Sequence, residues 1–70
     1  MMNINFSENL HLLMKEYGVN QVKLAKDIKI SQSAISAWLS NKKEPSITSL
    51  WLLADYFNCT VDGLIGRSNF

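Results

Sequence analysis

Gln32, Ser33, Ser36 and Ala37 stand within six residues of one another, at spacings that put them on neighbouring turns of one helix. Their chemistry is that of a surface reading base edges. A glutamine amide donates and accepts at once and matches the N6 and N7 edge of adenine, serine hydroxyls bond several bases, and an alanine methyl touches a thymine methyl. The stretch holds no arginine, so the bidentate guanine contact is missing. An appreciable share of any sequence preference must then come from DNA shape and from the spacing of two half-sites. Groups suited to phosphate flank the stretch: Gln21 on one side and Asn41, Lys42 and Lys43 on the other. Lys23 and Lys26 add charge, and their spacing turns one toward a DNA backbone and the other to water without saying which.

Two short helices and a tight turn are needed to hold these side chains. Leu24, Ala25 and Ile28 share one helical face, and Ile35, Trp38 and Leu39 repeat the pattern after a break at Lys29-Ile30-Ser31. Ala25 is small where the crossing helix presses closest, and the Ser31 hydroxyl can accept from the free N–H groups opening the second helix. Residues 21–41 therefore read as a helix-turn-helix whose second helix is the reader.

The remaining elements follow from caps and periodicity. Ser7 is expected to cap a first helix carrying Leu10, Leu13, Met14 and Tyr17, with Phe6 before the cap packing back on Leu10 as a hydrophobic staple. Gly18 ends that helix, Asn20 caps the next, and Asn41 supplies a left-handed residue after the third. Ser46 opens a fourth helix with Ile47, Leu50, Leu53, Ala54 and Phe57 as its buried stripe, and Thr60 caps a short fifth helix through Ile65. No strand pattern competes, so the expected fold is all-α with five helices.

Seventy residues allow one domain over 1–70, with a core over about 6–66 and a tail at 67–70. An apolar fraction of 47%, three Gly and one Pro fit a compact helical protein without a linker or repeat. No apolar run approaches the ~20 residues of a membrane span, and the amino terminus lacks the plan of a signal peptide, so a soluble, cytoplasmic protein is expected. Cys59 and His11 are each the single residue of their type. No internal disulfide, metal site or cofactor is expected of them, and Cys59 reads as a small buried thiol. No base is placed beside a nucleophile and no Gly-rich phosphate loop occurs, which argues against an enzyme. With no sensor domain in view, no small-molecule ligand is expected.

Charge supports the nucleic-acid reading. The net charge is only +1, but residues 21–43 carry Lys23, Lys26, Lys29, Lys42 and Lys43 against Asp27 alone, a local balance of +4. The remainder sets Lys15 and Arg67 against Glu8, Glu16, Glu44, Asp55 and Asp62, a balance of −3. A local cluster of this kind can suffice for phosphate neutralisation in a nearly neutral protein.

In order and spacing these residues resemble the Cro/Xre-type, lambda-repressor-like helix-turn-helix family of transcriptional regulators. The resemblance runs from Leu10 to Ile65 through Gln21, Leu24-Ala25, Ile30-Ser31, Ile35-Ser36, Trp38, Pro45, Leu50, Ala54, Phe57 and Leu64. It implies a compact five-helix domain that binds a double-stranded DNA operator as a homodimer and represses transcription of a phage, a mobile element or its own operon. It also implies backbone contacts at Gln21 and in the loop of Asn41 to Lys43.

Three departures from the family pattern are informative. Lys29 occupies a turn position where many members have Gly, and a left-handed conformation there costs about 1 kcal/mol. Met14 and Leu39 replace an Arg and a Glu that many members pair, a joint exchange that predicts an apolar Met14–Leu39 contact. Trp51, Leu52 and Tyr56 add apolar surface to the fourth helix, either to cap the core or to form a dimer face. Leu64, Ile65 and the terminal Phe70 are the other dimer candidates. The same surface suits an alternative function: an antitoxin or adaptor that keeps the fold and meets a protein partner.

Overall fold

Four of the five helices begin at a side chain that accepts from the backbone three residues on. Asn20 Oδ1 accepts from the Lys23 N–H at 2.8 Å, Ser31 Oγ from Ala34 at 3.2 Å, Ser46 Oγ from Ser49 at 3.1 Å and Thr60 Oγ1 from Gly63 at 2.9 Å. Each bond satisfies one of the amide groups that a helix start leaves free, a contribution of about 1 kcal/mol per cap. The structure, a computed structural model, describes residues 6–66. In chain order they form α1 (Phe6–Tyr17), α2 (Gln21–Ile28), α3 (Gln32–Leu39), α4 (Ile47–Tyr56) and α5 (Val61–Ile65), with no strand among the described residues.

Left-handed residues end the helices. Gly18, Lys29, Asn41 and Asn58 have φ of 67°, 60°, 62° and 53°. After each, the next N–H reaches back five residues: Val19 to Met14 O, Ile30 to Ala25 O, Lys42 to Ala37 O and Cys59 to Ala54 O, at 2.9 to 3.1 Å. This pattern satisfies carbonyls that the helix ends leave unpaired. Lys29 therefore holds the strained position anticipated for the turn between α2 and α3.

The first turn of α1 differs from the sequence expectation. Ser7 is not an N-cap but lies inside the helix, and its hydroxyl donates to the carbonyl of Leu39 at 2.7 Å. The end of α3 presents unpaired carbonyls, and a donor on the adjacent helix satisfies one of them. Phe6 likewise lies within α1, and its ring meets the edge of Trp38 at 6.1 Å between centroids. Phe6, expected just before the helix, thus meets α3 from within α1.

Leu10, Leu24, Ile35, Leu53, Phe57 and Leu64 are fully buried, one or two from each helix and its end. Around them α1 packs on α3 and α5, α2 on α3 and α4, and α4 on α5. Asn9 Nδ2 adds a polar tie from α1 to the carbonyls of Gly63 and Leu64 at 3.0 and 3.1 Å. Met14 is buried and Leu39 half-buried against this core, and both border one depression, so apolar side chains occupy the place of the family's ion pair.

Three apolar assignments need correction. Leu64 is 0% exposed, so it belongs to the core and offers nothing to a dimer partner. Ile47 is 84% exposed, because the buried face of α4 runs through Ser49, Leu53 and Ala54 and leaves Ile47 beside it. Tyr17 is half-exposed. Only one edge of its ring meets Phe57, at 5.2 Å, while its hydroxyl donates to the Phe57 carbonyl at 2.8 Å. Phe70 and the tail at 67–70 lie outside the described residues.

Candidate nucleic-acid interface

The short turn from Lys29 to Ser31 sets α3 across α2 and leaves one side of α3 open to solvent. Ile35 and Trp38 enter the core, so Gln32, Ser33 and Ser36 point the other way and are exposed, with Ala37 half-buried beside them. These four side chains line one shallow depression of about 460 Å³, together with Gln21 from the start of α2 and Lys42 from the loop after α3. The groups expected to read bases and two of those expected to hold phosphate thus share one surface.

Ser40 also lines this depression, and the sequence reading did not single it out. Its spacing of four from Ser36 was the available signal. Its hydroxyl bonds back to the carbonyls of Ser36 and Ala37 at 2.9 and 3.3 Å, so it serves the end of α3. Gln32, Ser33 and Ser36, by contrast, make no side-chain hydrogen bond among the described residues, and their polar atoms remain available to a ligand.

The remaining phosphate candidates divide. Asn41 and Lys43 border a different and more apolar hollow of about 200 Å³ with Phe6, Pro45, Leu50 and Ile65. Asn41 is left-handed, and Lys42, the next residue, lines the α3 depression. Lys23 does not project freely: its ammonium lies 3.1 Å from Asp27 Oδ2 one turn along α2. Lys26 is exposed and makes no ion pair among the described residues.

Tyr56 binds the same carboxylate oxygen of Asp27. Its hydroxyl donates to Asp27 Oδ2 at 2.6 Å, and its ring meets the edge of Phe57 at 5.0 Å. The Tyr56 hydrogen bond, followed by that of Lys23, holds the Asp27 carboxyl below the usual carboxylate range, and Asp27 in turn raises the Tyr56 phenol. Tyr56, which the sequence leaves between the core and a dimer face, ties α4 to α2 within the domain. Trp51 is 70% exposed, Leu52 is exposed and Ile65 is half-buried. Cys59 is half-buried, and burial pushes its thiol up, away from the reactive thiolate.

No helix among the described residues is long and apolar enough to cross a membrane. The helix-turn-helix family matches residues 10–64. The HTH-type transcriptional activator BcrR of Enterococcus faecalis is 34% identical over 62 residues, which cover 89% of this chain and 30% of that protein. The chain thus spans less than a third of the curated relative. A crystal structure of a transcriptional regulator from Listeria innocua superposes with a TM-score of 0.87 at 29% identity, over 99% of this chain and 64% of the other.

Proposed function

This chain belongs to the Cro/C1-type helix-turn-helix family, and from that premise we propose that it is a sequence-specific DNA-binding transcriptional regulator that lays α3 in the major groove. The observation that carries the reading is the joint placement of Gln32, Ser33, Ser36 and Ala37 with Gln21 and Lys42 on one open surface. Residues near the start of a recognition helix reach base edges first, which makes Gln32 the adenine reader and Ser33 its neighbour, with Ser36 and Ala37 one turn on. Gln21 and Lys42, at opposite sides of the reader, take phosphates and fix register, with Asn41 and Lys43 supporting Lys42 from the loop. Lys26 is the cation of α2 left for the backbone once Asp27 holds Lys23.

A two-fold homodimer would set two such helices about one DNA turn apart, roughly 34 Å, with Trp51, Leu52 and Ile65 as candidates for its contact. In this reading the protein occupies an operator in a phage, a mobile element or its own operon and represses by excluding the polymerase. The named relative is an activator, and the two outcomes differ in where the operator lies, not in how α3 reads it. Selection of binding sites from random duplex DNA tests the proposal. The expected product is an inverted repeat with adenine at a fixed place in each half, and failure to enrich any sequence at low salt would sink it. A reporter carrying the selected site then reads the sign of regulation.

One observation favours a second reading. Ile47 and Trp51, one turn apart on α4, are 84% and 70% exposed, and apolar side chains of that size on one face suit a protein partner. Under this antitoxin or adaptor reading, polar replacement of Trp51 would abolish activity while Gln32→Ala would leave it intact.

A further inference from the structure

Two donors share one oxygen beside the start of the reader. Asp27 Oδ2 takes the Lys23 ammonium at 3.1 Å and the Tyr56 hydroxyl at 2.6 Å. The ion pair is set against its own helix. Lys23 lies in the first turn of α2, where free N–H groups favour an anion, and Asp27 is next to last, where free carbonyls favour a cation. A lysine followed four residues on by an acid is also the weaker order for a pair one turn apart. Helix stability therefore gives no reason for either charge, and a bare surface pair of this kind holds little. The third partner changes that, because Tyr56 anchors the carboxylate to α4 before Lys23 meets it. Lys23 stands two residues, or ~3 Å of helix axis, beyond Gln21, which borders the α3 depression. Side chains on a helix lean toward its amino end, so an unpaired Lys23 leans toward Gln21. The bond to Asp27 draws its ammonium the other way along α2.

We propose that Asp27, anchored by Tyr56, is a positioning residue that withholds Lys23 from the DNA backbone and so limits the affinity that does not depend on sequence. The inference rests on the reading of α3 as a DNA reader with Gln21 at a phosphate, and adds to it a residue that lowers binding. A released Lys23 comes within the ~8 Å over which salt leaves a charge unscreened from a phosphate at Gln21. One more neutralised phosphate strengthens every duplex alike. With Lys23 held back, the base contacts of α3 carry a larger share of the total.

The test is a salt titration of the full chain, Lys23→Gln, Asp27→Asn and the double variant against a selected operator and a random duplex. Asp27→Asn keeps an oxygen for Tyr56 and removes the charge that holds Lys23. Its log–log salt slope is expected to be steeper than that of the wild type by about 0.9, with both duplexes bound more tightly by the same factor. Lys23→Gln is expected to keep the wild-type slope, and the double variant to return to it. A simple effect of net charge would instead move the two single variants by equal and opposite amounts, and that result overturns the proposal. So does an Asp27→Asn slope equal to that of the wild type, or a double variant as steep as Asp27→Asn; each leaves the α3 reading standing. A wild type that binds no duplex overturns both. Should Asp27→Asn melt low, amine acetylation of the wild type decides: bound duplex is expected to protect Lys42 and to leave Lys23 labelled as in the free protein, and equal protection of the two overturns the proposal.

Discussion

The Tyr56 hydroxyl donates to Asp27 across 2.6 Å and joins the fourth helix to the second through a carboxylate that also holds Lys23. The bond ties folding to pH at both ends of the scale. Asp27 titrates below its ordinary 3.8 when folded, so its contribution is fully present above that value and is lost as the pH falls through the lower, folded one. Tyr56 titrates above its ordinary 10.0, so its contribution is present below that value and is lost as the pH rises through the folded one. Tyr56→Phe keeps the ring against Phe57 and removes the bond. Melting temperatures measured from pH 2 to 11 should fall less steeply at both ends for the variant than for the wild type, and parallel curves would refute the link.

Leu39→Glu should destabilise the domain by about 2 kcal/mol, because it sets an unpaired carboxylate against a core that includes Met14. For a domain of this size that is a fall in Tm of about 10 °C. Adding Met14→Arg should recover a good part of the loss by supplying the partner charge. A thermal melt of the three variants checks both statements, and an unchanged Tm for Leu39→Glu contradicts the apolar contact.

Lys29→Gly should raise stability by about 1 kcal/mol, since φ of 60° costs a side-chain-bearing residue what glycine does not incur. Denaturant unfolding is the measurement, with a higher midpoint at the same slope expected. A lower midpoint would mean that the lysine side chain contributes more than its backbone loses.

Gln32→Ala and Lys42→Gln should fail in different ways. Loss of a bidentate amide should weaken the preferred site by about 1–3 kcal/mol and relax the choice of base at one position, leaving the salt dependence as it was. Loss of a phosphate contact should weaken all duplexes alike and lower the salt slope by about one. Fluorescence anisotropy against matched and mismatched duplexes separates the two, and a Lys42→Gln effect confined to one sequence would remove it from the backbone-contacting set.

What sequence could reveal depended on how far apart the interacting groups lie along the chain. Asn20, Ser31, Ser46 and Thr60 were legible as caps because each accepts from an amide three residues away, and Asn41 because a left-handed residue after a helix favours Asn. Asn58 takes the same conformation and carried the same signal, unread in the Asn58-Cys59 step. Ser7 looked like a cap because its true partner, the Leu39 carbonyl, lies 32 residues away, and no local pattern encodes that bond. Ile47 fits the apolar spacing yet lies outside the core, since in the first turn of α4 the polar Ser49 takes the buried place and polarity alone gives no sign of it. On the open side of α3, spacing alone brings Gln32, Ser33, Ser36 and Ala37 together, and the Lys23–Asp27 pair, one turn apart on α2, is equally local, while the Tyr56 bond to Asp27 depends on α4 arriving beside α2.

The bond from the Lys42 N–H to the Ala37 carbonyl, at 2.9 Å, makes the protein a caliper with fixed jaws. In the proposed reading one jaw is Gln21, the other is Lys42, and α3 spans the gap between them, with Ser7 and Phe6 of α1 against Leu39 and Trp38 at its far end. Because the loop is fastened to the helix it follows, the Lys42 backbone would keep its place relative to α3 on a longer or shorter half-site. In that reading, tolerance for altered operator spacing would come from the DNA bending rather than from this loop.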